Sequence, residues 1–315
     1  MTCYWSGEEP SWNNGSKFYE LNPPLNSMPK EVDTVILWYG HLDITYTKKD
    51  GVKVQSVSVN TDRLTLYNSK KTIQGWMKDL RANNPNVKII MSVISGSYPD
   101  IEDQDAFATT LSNTLTDWGV DGVDIDFEPP TYVKDGTSDR VSELMKKIRT
   151  KLTSTIGKSV LMTAPIYHRW LEIYVPGDYN YLGAYAANFD YLTTMDYTGY
   201  VGYDTTIDYY KQYAAKIGSD ASPAYDKLAI GVSCMGPSTG PNFTPLGDGA
   251  DPVEKGVIQL TKWEPDSGHK QGIMVFTLSY DVTLRYYGTD WENKSGTGYP
   301  DLTWTNTVIK DIPDT

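Results

Sequence analysis

Short apolar segments alternate along the chain with longer segments in which apolar residues recur at helical spacing. Eight apolar, strand-like runs are present, at residues 2–7, 32–40, 87–95, 121–130, 159–167, 189–199, 227–236 and 272–281. Segments with helical periodicity lie at residues 71–84, 105–119, 138–154, 206–218, 251–263 and 301–312. Strands that alternate with helices indicate parallel βαβ units, and eight of them favour a closed (β/α)8 TIM barrel over an open doubly wound sheet. We therefore predict an α/β fold in which residues 1–315 form a single barrel domain.

One segment departs from this alternation. Residues 42–60 follow the second strand and alternate in the way of a β-hairpin, with a turn at Asp50-Gly51. Such an insertion would stand above the C-terminal face of the barrel, where the active sites of these folds lie. A substrate-binding hairpin and a surface hairpin without a role are equally consistent with this pattern. Between the seventh and eighth strands, roughly 35 residues leave room for one helix and its loops but for no inserted subdomain.

The composition is that of an ordinary globular domain, with 39% hydrophobic and 22% charged residues in a chain of 315. The formal net charge of -12 argues against nucleic acid or an anionic membrane surface as the main partner. No apolar run approaches the roughly 20 residues that a membrane-spanning helix needs. No signal peptide is visible, which leaves an intracellular protein or the mature part of an exported one. We expect the second, a secreted or cell-surface protein.

The cysteines and histidines give no sign of a metal centre. Cys3 and Cys234 lie in apolar, strand-like segments, so we interpret them as two buried thiols, with a long-range disulfide as the alternative. His41, His168 and His269 are scattered, and no His/Cys cluster has metal-ligand spacing. We therefore expect neither a metal nor any other cofactor.

Candidate chemistry is concentrated in the segment DGVDIDFEPP, residues 121–130. Asp124, Asp126 and Glu128 alternate there with apolar residues, so in a strand the three acids share one face and the apolar side chains the other. A surface strand more often mixes Lys, Thr and Ser with its acids, so this alternation favours a functional site. Carboxylates this close repel one another, so we expect at least one proton to be retained and the pKa of Glu128 to be raised by the other two acids.

The segment DGVDIDFE resembles the DGxDxDxE signature of family-18 glycoside hydrolases, which include chitinases and endo-β-N-acetylglucosaminidases. VKIIMS resembles the third strand of that family, and FDYLTTMDY resembles its sixth, with Met195-Asp196-Tyr197 as the Met-x-Tyr pattern. The resemblance extends over the whole chain, because the eight-strand layout is the barrel of the family. It implies a hydrolase that cleaves β-1,4 bonds next to N-acetylglucosamine (GlcNAc) without a cofactor.

The resemblance also implies roles for individual residues. Glu128 would be the general acid that protonates the leaving oxygen and then the base for water. Asp126 would orient the acetamido group of the substrate, Asp124 would share a proton with Asp126, and Tyr197 would donate its hydroxyl to the acetamido carbonyl. Members of this family use the acetamido oxygen of the substrate as the nucleophile, in contrast to retaining glycosidases with a carboxylate nucleophile. Asp121 begins the signature out of phase with the other acids, and we interpret it as structural.

Further residues fall near the predicted C-terminal ends of strands, where they are as consistent with binding sugar as with packing: Tyr4, Trp38, Tyr39, Tyr167, Met195, Tyr200, Met235 and Phe276. His168 follows the fifth strand, and we interpret it as a local hydrogen-bond partner. Three positions depart from the family pattern. Ile94 replaces a glycine, Thr198 replaces the Asp that chitinases carry after the tyrosine, and Phe276 replaces a tryptophan of the eighth strand.

Three function classes follow from this resemblance. The first, which we favour, is an endo-β-N-acetylglucosaminidase that cuts the chitobiose core of N-glycans. The short connection between the last two strands, the hairpin, Thr198 and Phe276 favour it. The second is a chitinase with an open groove, which Met195 favours, and the third is a non-catalytic carbohydrate-binding protein, which the intact Glu128 disfavours. We expect a monomer whose partner is a GlcNAc-containing glycan or glycoprotein, while the type of glycan is left open.

Overall fold

The structure, a computed structural model, describes residues 1–6, 24–128, 137–157, 159–173, 180–198, 202–234, 244–247, 255–277 and 303–311. Its strands are β1 (Thr2–Ser6), β2 (Thr34–Lys49), β3 (Val52–Asn60), β4 (Lys88–Ile94), β5 (Gly122–Asp126), β6 (Leu161–Ile166), β7 (Tyr191–Thr194), β8 (Leu228–Ser233) and β9 (Gly272–Phe276). Its helices are α1 (Lys70–Asn83), α2 (Gln104–Trp118), α3 (Thr137–Thr155), α4 (Arg169–Glu172), α5 (Tyr181–Ala186), α6 (Tyr203–Ile217), α7 (Val257–Lys262) and α8 (Thr303–Asp311).

Eight of the strands form a closed parallel ring. Going round it, the order is β1-β9-β8-β7-β6-β5-β4-β2, and β1 pairs with β2 to close the ring. All of these pairings are parallel, and β3 alone joins the sheet antiparallel, on the outer part of β2. The predicted (β/α)8 barrel with a hairpin after its second strand is therefore confirmed.

The hairpin extends β2 beyond the barrel, after a shift in the register of β2 against β4 between Leu37 and Gly40. β2 is 16 residues long, and its outer half pairs with β3 from His41–Asn60 to Lys49–Val52. The turn lies at Asp50 (φ 51°) and Gly51 (φ 79°), the two left-handed positions that a type I′ turn requires. The predicted turn is confirmed, and the right-handed twist of this turn type explains how both arms stay paired over nine positions.

Two hydrophobic layers hold the barrel together. The larger one lies between the strands and the surrounding helices and contains Cys3 and Cys234 as buried thiols. The smaller one lies inside the ring and consists of Tyr4, Ile36, Ile90, Tyr197 and Met274. Partly buried side chains pack against the inner layer, namely Trp38, Leu161, Met195 and Phe276. The acids of β5 therefore stand on an apolar floor.

Asp121, the first residue of the acidic segment, has a structural role, as its position out of phase with the other acids indicated. Asp121 Oδ2 accepts hydrogen bonds of 2.9 Å from the backbone N–H of Ile89 and from the guanidinium of Arg81. At the next position, a Cβ atom on Gly122 would lie 1.8 Å from the carbonyl oxygen of Leu161. Only glycine fits this approach of β5 to β6, so these two residues fix where the acids that follow are placed.

Several element boundaries differ from the sequence prediction. The predicted strand at 121–130 ends at Asp126, and the predicted strand at 189–199 is reduced to β7. The short helices α4 and α5 were not predicted, because four and six residues are too few to show a helical period. Of the predicted helix at 251–263, residues 251–254 lie outside the described residues, and the observed helix begins at Val257. Within the described ranges, no helix is both long enough and apolar enough to cross a membrane.

Candidate active site

Asp124 lies at the bottom of the site, fully buried among hydrogen-bond donors. Tyr4 donates its hydroxyl to Asp124 Oδ2 at 2.8 Å, and Thr163 donates to Oδ1 at 2.6 Å. Burial raises the pKa of Asp124, whereas these two hydroxyl groups lower it. Ser92 is paired with Asp124 in register, but its hydroxyl has no hydrogen-bond partner among the described residues. Of the three hydroxyl groups that lower the pKa of Asp124, that of Ser92 has the smallest effect.

Asp126 occupies the next inward position and has a different environment. Its side chain is buried, and Oδ1 has no hydrogen-bond partner among the described residues. Burial raises the pKa of Asp126 well above its usual value, and the negative charges of Asp124 and Glu128 raise it further. The two neighbouring acids thus differ in their partners. Asp124 has two hydroxyl donors, whereas Asp126 has the more strongly raised pKa.

Glu128 follows two residues after the end of β5, and its side chain is exposed at the mouth of the barrel. Partial burial raises its pKa, and the guanidinium of Arg169 lowers it. The predicted direction of this shift is therefore right, but the predicted cause is wrong. The repulsion between Glu128 and Asp126 raises the pKa of Asp126 instead, because Asp126 is the more buried of the two. Glu128 is a weak acid within reach of solvent.

Tyr197 follows β7, which is separated from the acids of β5 by β6 alone. It is buried, and its ring stacks on Phe276 with a centroid distance of 5.7 Å and an interplanar angle of 12°. Burial raises its pKa well above the usual value, and the charges of Asp126 and Glu128 add to this effect. The hydroxyl therefore stays protonated and is able to donate a hydrogen bond in the site.

Most of the predicted aromatic positions form one cluster around Phe276. Its ring contacts Tyr4 at 5.5 Å and Trp38 at 5.1 Å, and Trp38 contacts Tyr39 at 4.8 Å. Trp38, Tyr39 and Phe276 are half-buried and reach the surface of the site. Tyr4 differs from the prediction, because it is only 3% exposed and its hydroxyl is bound to Asp124. It therefore supports the acids from below instead of lining the sugar surface.

Of the four remaining predicted positions, two lie at the site and two lie outside the described residues. Tyr167 follows β6 and is half-buried. Its pKa is raised mainly by burial and next by the charge of Glu128, which shows that it lies beside the acid. Met195 is half-buried and packs against the inner hydrophobic layer. Tyr200 and Met235 lie outside the described residues.

The structure adds residues that the sequence prediction missed. Thr163 falls on the inward phase of the fifth predicted strand, which is the signal that could have identified it. Arg169 and Asp196 have no such signal. Arg169 begins the short helix α4, and Asp196 is a buried acid just after β7.

Asp196 forms a second, smaller polar cluster beside Tyr197. The hydroxyl of Tyr213 donates to Asp196 Oδ1 at 2.8 Å, and His168 Nδ1 lies 4.0 Å from the same oxygen. Burial raises the pKa of Asp196 to about 7, against the lowering effects of Tyr213 and of the His168 backbone. The cluster ties the end of β7 to α6 and to the segment between β6 and α4. The His168 ring lies beside Asp196 but beyond hydrogen-bond distance, so its role as a local hydrogen-bond partner stays a prediction.

In the part of the chain that the structure describes, no group of three or more His, Cys, Asp or Glu side chains is arranged to hold a metal ion. The arrangement instead offers one exposed acid, one buried acid with an unpaired oxygen and one buried acid that accepts two hydrogen bonds.

Comparison with known proteins identifies the family of the chain. The family model described as "Glycosyl hydrolases family 18" matches residues 1–305. An endo-β-N-acetylglucosaminidase from Cordyceps militaris aligns with a TM-score of 0.61 at 17% identity, covering 100% of this chain and 90% of that chain. A GH18 chitinase from Pseudoalteromonas aurantia aligns with a TM-score of 0.61 at 14% identity, covering 99% of both chains.

A third structure, the catalytic domain of a GH18 chitinase from the fern Peteris ryukyuensis, has a TM-score of 0.59 at 16% identity and covers 98% of this chain and 97% of that chain. At these identities the structural likeness shows a shared fold. The family model spans almost the whole sequence, and on this basis the chain belongs to glycosyl hydrolase family 18.

Proposed function

We propose that the protein is an endo-acting hydrolase that cleaves β-1,4 bonds next to GlcNAc by substrate-assisted, retaining catalysis. The observation that carries this proposal is the graded environment of three acids on one segment. Asp124 accepts hydrogen bonds from two hydroxyls, Asp126 is a buried acid with a strongly raised pKa and an unpaired oxygen, and Glu128 is an exposed acid with a raised pKa. Retaining catalysis by this route needs a proton donor and a stabilising anion, but no carboxylate nucleophile.

Glu128 performs the first proton transfer in this mechanism. Burial raises its pKa and so favours the protonated acid, which donates its proton to the glycosidic oxygen as the bond to the anomeric carbon breaks. The acetamido oxygen of the same sugar forms the new bond to that carbon from the opposite face and gives a cyclic oxazolinium ion. Water then attacks the anomeric carbon, Glu128 accepts its proton, and the two inversions together retain the configuration.

Asp126 and Tyr197 hold the acetamido group during these steps. Asp126 Oδ1 accepts the N–H of the acetamido group, because this buried oxygen has no other partner in the described structure. The protonated hydroxyl of Tyr197 donates to the acetamido oxygen and points it at the anomeric carbon. The negative charge on Asp124, buried one strand position below, stabilises the positive charge that develops on the ring.

Among GlcNAc-containing substrates, we propose the chitobiose core of N-glycans. Phe276 supports this choice, because its half-buried ring packs under Tyr197 and Trp38 and gives a smaller exposed platform than a tryptophan would. The hairpin of β2 and β3 supports it as well, since it adds a wall to one side of the mouth. N-glycans are displayed on secreted and surface glycoproteins, so we propose that the enzyme acts there, as a monomer.

The alternative function is a chitinase with an open groove. Met195 favours this alternative, and the chitinase from Pseudoalteromonas aurantia aligns as well as the endo-β-N-acetylglucosaminidase from Cordyceps militaris. A non-catalytic carbohydrate-binding protein is the third reading, which the accessible Glu128 disfavours because a binding protein does not need a proton donor.

A paired digestion separates these functions. Wild-type protein and Glu128→Gln are each incubated with glycoproteins that bear high-mannose and complex N-glycans, and separately with chitin oligosaccharides. Release of intact glycans by the wild type alone, with one GlcNAc left on the protein, is the expected result. Cleavage restricted to chitin oligosaccharides would establish the chitinase, and cleavage of neither substrate would contradict the proposed activity.

A further inference from the structure

One face of the hairpin points to the same side of the sheet as the acids of β5. Asp126 pairs with Ile94 in β4, Ile94 pairs with His41 in β2, and His41 pairs with Asn60 in β3. Directly paired residues point to the same side of a sheet. His41 and Asn60 therefore face the same side as Asp126. With strands about 4.8 Å apart, they lie about 10 and 14 Å away along the sheet.

This face carries a fixed polar network. His41 Nε2 lies 3.0 Å from Asp43 Oδ1, and the Asn60 amide donates to Asp43 Oδ2 at 3.2 Å. Asn60 Oδ1 in turn accepts the backbone N–H of Asp62 at 2.8 Å, which fixes the orientation of the amide. The side chains of His41 and Asp43 remain 35% and 40% exposed. Each carboxylate oxygen keeps a second acceptor position for a ligand, because an ionised carboxylate has about four lone-pair sites.

The opposite face of the hairpin is already covered. Its inner half packs against the main hydrophobic layer through Leu42, Ile44, Val57 and Val59. Further out, Gln55 donates to the carbonyl of Asp100 and accepts the backbone N–H of Glu102, both at 2.8 Å. These contacts anchor the hairpin to the segment before α2. The polar face is therefore held in place toward the mouth of the barrel.

Aromatic rings stand at the foot of this face. Trp38 and Tyr39 precede it on β2, are half-buried and contact each other with ring centroids 4.8 Å apart. An aromatic ring accepts the apolar C–H face of a pyranose, while carboxylate, amide and imidazole groups bind its hydroxyls. Both kinds of group lie on one continuous surface that begins beside the acids.

We propose that His41, Asp43 and Asn60, with Trp38 at their base, form a subsite for a hydroxyl-rich pyranose beyond the GlcNAc held at the acids. This subsite rests on the proposed function. It makes the enzyme bind extended glycans more tightly than the disaccharide chitobiose. The Asp43 carboxylate accepts two neighbouring sugar hydroxyls, and His41 and Asn60 hold that carboxylate in position.

Binding to an inactive enzyme tests the subsite apart from turnover. In the Glu128→Gln protein, affinities are measured by calorimetry for chitobiose, a high-mannose glycan, a biantennary complex glycan and chitohexaose. Adding Asp43→Ala is expected to weaken the binding of an extended glycan about tenfold, the typical cost of losing hydrogen bonds to a charged group. The affinity for chitobiose is expected to stay unchanged. His41→Gln is expected to give a smaller loss in the same direction. Lys53→Ala, on the covered side of the hairpin, is the matched control, and thermal unfolding checks that each variant is folded.

The outcomes separate this proposal from the proposed function. In one outcome, Asp43→Ala, added to the Glu128→Gln protein, leaves the affinity for all three extended glycans unchanged. That result would overturn the subsite while leaving the catalytic assignment intact. An equal loss for chitobiose and the extended glycans would also overturn it. Failure of the Glu128→Gln protein to bind any of the four sugars would contradict the proposed function itself, and the subsite with it.

Discussion

The Tyr4 hydroxyl donates a 2.8 Å hydrogen bond to Asp124 Oδ2 and so joins the first strand to a residue 120 positions later in the chain. Together with Thr163, it makes Asp124 the better-stabilised anion of two neighbouring buried acids. Asp126 has the more strongly raised pKa, and its buried Oδ1 has no hydrogen-bond partner among the described residues. The hydroxyl of a tyrosine beneath the site thus opposes the rise that burial causes in the pKa of Asp124.

Removing this hydroxyl tests its effect on the acids. In Tyr4→Phe, the charged form of Asp124 loses a donor, so the pKa of Asp124 rises further. Because activity requires ionised Asp124, the acidic limb of the kcat/KM profile is expected to move to higher pH, and kcat to fall about tenfold, as for one hydrogen bond to a charged group. The measurement is a pH profile on a GlcNAc disaccharide with a fluorescent leaving group.

A second buried tyrosine provides the control for this experiment. Tyr210 donates its hydroxyl to the carbonyl of Leu228, on the far side of the barrel wall from the acids. Tyr210→Phe removes a buried hydrogen bond without touching Asp124 and should leave the pH profile unchanged. An unshifted acidic limb in Tyr4→Phe would show that Tyr4 does not set the charge of Asp124.

Glu128→Gln tests the proton donor directly. The amide cannot protonate the leaving oxygen, so turnover is expected to fall about a hundred- to ten-thousandfold, the usual contribution of general acid–base catalysis. The side chain is exposed, so the midpoint of thermal unfolding should stay close to that of the wild type. Glu143→Gln, an exposed change on α3, serves as the matched control. Near-normal turnover in Glu128→Gln would exclude Glu128 as the acid.

Asp126→Asn separates orientation of the acetamido group from binding of the rest of the glycan. Asparagine keeps an acceptor oxygen, but it can neither give up a proton nor become an anion when positive charge develops at the acetamido group, so we expect turnover to be impaired while glycan binding survives. The measurement compares kcat with the dissociation constant of an intact glycan, each against the wild type. An unchanged kcat would show that Asp126 does not hold the reacting group.

The local pattern of the sequence predicted the acids well because strand geometry is itself local. Alternation along 121–128 was enough to place Asp124 and Asp126 on one face, and the turn at Asp50-Gly51 followed from two adjacent residues. The end of β5 before Glu128 was not predicted, although Pro129 and Pro130 lack the N–H groups that would continue the ladder.

Long-range partners could not be predicted in the same way. The contact of Tyr4 with Asp124 and the proximity of Arg169 to Glu128 depend on how the ring closes and on the short helix α4. A single sequence carries no local signal for either. The cause of the raised pKa of Glu128 was mispredicted for the same reason, since its burial and its neighbouring cation are properties of the assembled mouth.

Asp196 gives a test that depends on stability instead of catalysis. Its pKa is about 7 in the folded protein, and burial is the main cause, whereas an exposed Asp in the unfolded chain titrates near 3.9. A raised folded pKa contributes stability that is fully present below pH 4 and is lost as the pH rises to about 7. In Asp196→Asn the buried group is neutral at every pH, so this loss disappears. We therefore expect the midpoint of thermal unfolding to fall less between pH 4 and pH 8 in Asp196→Asn than in the wild type.

The same measurement on an exposed acid supplies the reference for Asp196. Asp204 lies on the surface of α6, and Asp204→Asn should retain the wild-type pH dependence. Tyr213→Phe gives the opposite kind of change, because the ionised form of Asp196 loses its hydroxyl donor at 2.8 Å and the pKa rises further. Its stability should then decline over a wider pH range than in the wild type. If Asp196→Asn and the wild type lose the same stability between pH 4 and pH 8, Asp196 does not titrate in this range in the folded protein.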